Sequence, residues 1–153
     1  MRHEVRIEQI QPRILIAARR TAAPREVPNV VLPALDLVWA FLRENPGLWN
    51  EGHNVFLYHH VGRPEDGMPI DIGVEVTGRF EPDGELRCVE TPAGEAAVVV
   101  HRGPYSGIPE AHAALHAWCA AHGRAIGSHS LEVYGDWSED PSQLQTTIQY
   151  LLR

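Results

Sequence analysis

Apolar and polar residues alternate without a break from Ile70 to Thr77, where Ile70, Ile72, Val74 and Val76 are set against Asp71, Gly73, Glu75 and Thr77. A period of two marks a strand with one buried face. Strands are also predicted over Ile14 to Arg20, Asn54 to His60, Leu86 to Val89, Ala96 to His101, Ser130 to Tyr134 and Leu144 to Leu152. Two stretches change to helical spacing. In the first, Val31, Leu35, Val38 and Leu42 fall on one stripe, Pro33 suits the first turn, and Asn45-Pro46-Gly47 stops the helix. In the second, Gly103-Pro104-Tyr105-Ser106-Gly107 leads into a helix with Pro109 near its start. Ile108, Ala111, Leu115, Trp118 and His122 form its inner stripe, and Gly123 ends it.

The order strand, helix, strand, strand therefore occurs twice. Trp39 and Trp118 hold similar places on the two helices, 79 residues apart, and Tyr58 and Tyr134 similar places on the strands that follow, 76 apart. These offsets predict a duplicated module of about 80 residues. The expected fold is α+β: a single domain over residues 1–153, with pseudo-repeats at about 1–80 and 84–153, whose strands join into one curved antiparallel sheet carrying both helices on one face. The opposite face would then lack a cover, and that uncovered concave face is the expected cleft.

Strand parity names the residues that face it. Leu131 and Val133 point one way while Glu132 and Tyr134 point the other. Phe56, Tyr58 and His60 share one face of their strand and are expected to line the same cleft as Glu132, with Trp137, Trp49 and Tyr105 as rims. A lone carboxylate framed by aromatic rings suits a cation. The same carboxylate can instead deliver or accept a proton, so Glu132 is also the candidate catalytic acid or base. Asp71 is expected to meet water, and Glu75 either water or the cleft.

Composition narrows the chemistry. All 13 basic residues are arginine, so lysine Schiff-base chemistry is excluded. With 20 acids the formal net charge is −7, and without a basic stripe or a helix-turn-helix pattern nucleic acid is not expected as a direct partner. Arg2-His3-Glu4-Val5-Arg6 has no apolar signal core, and Pro33 and Asp36 break the longest apolar stretch, which places the protein in the cytoplasm and away from membranes. Cys88 and Cys119 lack metal spacing and read as buried free thiols. His112 and His116 are four apart, but Ala113 stands where a zinc protease needs glutamate, and both are expected at the surface; no metal is expected. His59 and His60 point to opposite faces, so only one can line the cleft, and a lone histidine is weak support for haem; no cofactor is implied. No Gly-x-Ser-x-Gly elbow or glycine-rich phosphate loop is present.

The element order, together with His101-Arg102-Gly103-Pro104-Tyr105, Ile108-Pro109-Glu110-Ala111-His112 and Leu131-Glu132-Val133-Tyr134, resembles the GyrI-like effector-binding family. The resemblance is clearest from Ala97 to Trp137. It implies the tandem strand-helix-strand-strand fold and a cleft in which a glutamate matching Glu132 meets lipophilic cations between aromatic walls. Met1 stands only a few residues before the first module, which argues against a direct role as a transcription factor. A regulator that listens to this domain, or gyrase itself, is the implied protein partner. The resemblance also carries an alternative, hydrolysis of strained electrophilic antibiotics with Glu132 as general acid or base; binding is the expectation placed first.

Overall fold

The structure is a computed structural model that describes residues 3–48, 52–82 and 84–153. In chain order the elements are β1 (Arg6–Ile10), β2 (Ile14–Ala22), α1 (Val27–Glu44), β3 (Asn54–His59), β4 (Met68–Glu75), β5 (Leu86–Glu90), β6 (Gly94–Arg102), α2 (Ile108–Ala121), β7 (Ile126–Tyr134) and β8 (Gln145–Leu152). The strands form one antiparallel sheet in the order β1-β6-β8-β7-β3-β4-β2-β5. Both helices pack on one face, as the pattern predicts.

Several elements differ from the sequence reading, and β7, for one, starts at Ile126, four residues before the predicted Ser130. The pattern does not predict the strand β1, because Arg6-Ile7-Glu8-Gln9-Ile10 spaces its two isoleucines three apart and shows no period of two. Helix α1 begins at Val27, earlier than expected, because Pro28 takes the first turn, where a missing N–H costs nothing. Pro33 lies inside the helix, where its ring removes the bond to the Asn29 carbonyl. In α2 the buried stripe is Ile108, Ala111, Leu115 and Cys119. The predicted end of that stripe is corrected: His122 is exposed and stacks at 4.1 Å on a half-buried Trp118. Gly123 follows with φ 64°, a left-handed conformation that glycine adopts without strain. No helix among the described residues is long and apolar enough to cross a membrane.

Packing decides where a cavity can lie. Helix α1 covers β2 and β4, and α2 covers β6 and β8. Eight strands about 4.8 Å apart span roughly 34 Å, whereas two helices about 10 Å wide cover about 20 Å. The central strands β7 and β3 are therefore left open between the helices. The helix-free face is closed, because the sheet curls until Ile10, Leu15, Val55, Leu57, Val98 and Leu131 join one buried cluster. The expected cleft on that face is corrected accordingly.

Asp71 is corrected as well. It lies on the curled face at 0% exposure and meets no water. Arg19 grips it with Nε to Oδ1 at 3.0 Å and Nη2 to Oδ2 at 2.9 Å, and His59 Nε2 approaches Oδ2 at 2.7 Å. Burial alone would raise its pKa, but these donors hold the carboxyl below its usual range. Glu75, left open by the sequence, pairs with Arg13 at 2.7 Å.

Candidate functional site: a carboxylate cavity between the helices

The gap between the helices opens as a cavity of about 870 Å³. Sheet register places its polar floor. Glu132 on β7 pairs directly with Phe56 on β3 and Ile148 on β8, while its neighbour Ser130 pairs with Tyr58 and Tyr150. Tyr58 and Tyr150 are thus diagonal to Glu132 on the same face, within reach of long side chains, and Tyr134 stands two residues along the strand.

The result is a cage around a carboxylate that is only 5% exposed. The hydroxyls of Tyr58 and Tyr134 each donate to Glu132 Oε1 at 2.8 Å. Burial first, and the Glu132 charge second, push both phenols far above their ordinary range, so they remain protonated donors. On the other side His112 Nε2 lies 2.6 Å from Glu132 Oε2, and His112 Nδ1 lies 2.6 Å from the Tyr150 hydroxyl. The Tyr150 phenol is likewise held up by burial and then by Glu132. One tautomer satisfies every atom: Tyr150 O–H donates to Nδ1, and Nε2–H donates to the carboxylate.

The wall beside this cage is aromatic. Phe56 packs on Tyr134 with centroids 4.9 Å apart, and Tyr105 meets Tyr134 edge-on at 5.5 Å. His60 donates from Nδ1 to the Gly127 carbonyl at 3.2 Å and accepts the Ser130 hydroxyl at 2.8 Å. Burial lowers its pKa, so it presents a neutral ring to the cavity. Across the gap, Val27, Pro28, Val31, Leu32 and Leu35 of α1 supply an apolar wall.

Seven of the eight residues named from sequence, Glu132, Tyr134, Tyr58, Phe56, His60, Tyr105 and Trp137, line this one cavity. Trp137 sits at its mouth, 72% exposed. Trp49 lies outside the described residues. His112 corrects the expectation that it is a surface residue. It stands one turn after Ile108, at the border of the buried stripe, and its pairing with His116 directed attention to zinc instead. Among the described residues no group of three or more His, Cys, Asp or Glu side chains is placed to hold a metal ion. The α1 wall was missed because Val31 and Leu35 read as ordinary helix core.

Several solved structures share this fold. The C-terminal domain of EcmrR matches with a TM-score of 0.82 and 22% identity, covering 100% of this chain and 99% of that one. The EcmrR–DNA complex matches at the same TM-score and identity over 99% of this chain, which spans 57% of the EcmrR chain there. SAV2435, solved bound to tetraphenylphosphonium, matches with a TM-score of 0.71 and 13% identity over 98% of this chain and 94% of its own. No curated protein sequence matches. Residues 3–153 match the family of GyrI-like small molecule binding domains, and the chain belongs to that family.

Proposed function

We propose that the cavity binds lipophilic, cationic aromatic compounds with their positive charge against Glu132, for sensing or sequestering a drug or effector. The observation that carries this reading is the carboxylate itself, buried at the floor of an aromatic and apolar cavity without an arginine partner among the described residues. A carboxylate removed from water is costly, and a matching cation recovers part of the cost. At about 4 Å and an effective dielectric near 20 the attraction is roughly 4 kcal/mol before desolvation. Each ring facing the charge adds about 0.5 to 2 kcal/mol. The cavity volume suits a drug-sized molecule. The tetraphenylphosphonium bound by SAV2435 is such a lipophilic cation. Service to a separate transcription regulator in the cytoplasm fits the likeness to EcmrR.

Glu132→Gln tests the charge while keeping the shape. The affinity for tetraphenylphosphonium, read by calorimetry, should fall at least about tenfold, or about 1.4 kcal/mol, while that for neutral triphenylphosphine oxide changes little. Equal losses for both ligands would remove the charge argument.

The Glu132–His112–Tyr150 chain favours a second reading, in which Glu132 serves as general acid or base in opening a strained electrophile. Product counting separates the two. A binder saturates at one equivalent and returns its ligand unchanged. A hydrolase yields more than one equivalent of water-opened product, and Glu132→Gln abolishes it.

A further inference from the structure

His112 occupies the place beside Glu132 that a ligand's charge would take. Its Nε2 is 2.6 Å from one carboxylate oxygen while two phenols hold the other, and its Nδ1 is satisfied by Tyr150. Two proton arrangements fit this geometry without moving a heavy atom. With His112 neutral, Tyr150 donates to Nδ1, Nε2–H donates to Glu132, and the cage carries one net negative charge. With His112 protonated, both ring nitrogens donate, Tyr150 accepts, and the cage is neutral.

We infer that His112 is the specificity-determining partner of Glu132, a built-in cation that competes with the ligand's charge for the carboxylate, so that binding a cation expels the proton wherever His112 carries one. The inference rests on the cation-binding reading above and adds its regulation. A permanently charged ligand competes with the proton on His112, whereas a neutral ligand of similar shape does not. Linkage then makes the effect reciprocal: acid weakens the cation, and the cation drives off the proton.

The groups around His112 decide what else can titrate. Glu132 and Tyr134 face it from β7, Tyr58 from β3, His60 from just past the end of β3, Tyr150 from β8, His116 from the next turn of α2, and Tyr105 from the turn before α2. Helix α1 lines the cavity with uncharged side chains. The tyrosines stay protonated in the pH range of interest. His60 has both nitrogens engaged by Gly127 and Ser130, and His116 lies edge-on to Tyr150 at 5.0 Å with no bond to the carboxylate. Among the described residues, only His112 ties a titratable nitrogen directly to Glu132.

The test is isothermal calorimetry of tetraphenylphosphonium and triphenylphosphine oxide from about pH 5 to 8, the histidine range, in buffers of differing ionisation enthalpy. It compares the wild type with His112→Gln and His116→Gln, after thermal unfolding shows both variants folded. In the wild type the cation's Kd should rise by up to about tenfold per pH unit on the acid side, with close to one proton released per cation bound there, while the neutral ligand does not weaken. In His112→Gln, whose amide keeps a donor toward Glu132 without a charge, the cation's Kd should lose its pH dependence and the proton release should vanish, whatever the absolute affinity of the variant. His116→Gln should keep the wild-type profile. Wild-type binding that ignores pH, or a slope that survives in His112→Gln because Glu132 itself takes the proton, overturns the role of His112 and leaves cation binding standing. No binding of the cation by any of the proteins at pH 8 overturns the cation-binding reading and this inference with it.

Discussion

Asp71 and Glu132 are both buried carboxylates, one on each face of the sheet, and their neighbours give them different duties. Asp71 is matched by a full positive charge from Arg19 and by His59. Glu132 is held by two phenols and one histidine. Asp71 therefore belongs to stability. Asp71→Asn should lower unfolding free energy by about 2 kcal/mol in urea titration, below the usual cost of breaking a buried pair because Arg19 reaches solvent. The sign with pH follows from the lowered carboxyl: its contribution is present above the unfolded value of 3.8 and is lost as pH falls through the lower folded value, so the variant's stability curve should be flatter on that acid limb. Glu132 was legible from sequence because strand parity set it beside Tyr134 and opposite Leu131. Asp71 was not, since alternation says which residues share a face but not whether the second face is wet. His112 was legible only as a residue bordering a helical stripe, and what that border meets depends on strands distant in sequence.

Gly73 shows the same limit at the scale of an element. It read as the polar phase of the most regular strand in the chain, yet it is there for space. A Cβ built on it would lie 2.2 Å from the Ile16 carbonyl oxygen and 2.9 Å from the Ala17 Cβ, because β2 runs alongside with Ala17 as the register partner of Gly73. Gly73→Ala should push β2 away from β4 and cost about 1 to 3 kcal/mol, seen as a lower urea midpoint with loss of amide protection along Leu15–Ala18. The elements read most surely from sequence were those with four or more alternating apolar positions, such as β4, or a stripe closed by a stop signal, such as α2. The strand β1 carries neither signal, and the entry to α1 turned on which of two prolines takes the first turn.

For the molecule as a whole, burial lowers the pKa of His60 and His129 below their ordinary 6.5. The unfolded chain then binds more protons than the folded one as pH falls below about 6.5, so stability should decline from about pH 7 toward pH 5, before carboxylates add their own loss. A melting-temperature series across that range checks it, and a constant value would contradict it. Sequence pattern supplied the layer of helices and the single curved sheet, but not which face holds the cavity, because that depends on widths and curvature. The duplicated module remains our proposal. From the central pair outward the strand order is β3-β4-β2 on one side and β7-β8-β6 on the other, but β1 borders β6 and β5 borders β2, so cutting the chain near residue 80 would not divide the sheet cleanly in space. That interleaving has a consequence for synthesis. Residues 6–10 are made early, yet they pair with residues 94–98, and the resulting ribbon joins the rest of the sheet only through β8, the last element in chain order. Tyr150, which completes the His112 chain, arrives on that same strand. While the chain is still growing, the clasp that closes the sheet and the last piece of the carboxylate cage are missing together, so no nascent intermediate offers a finished cavity on an unfinished fold.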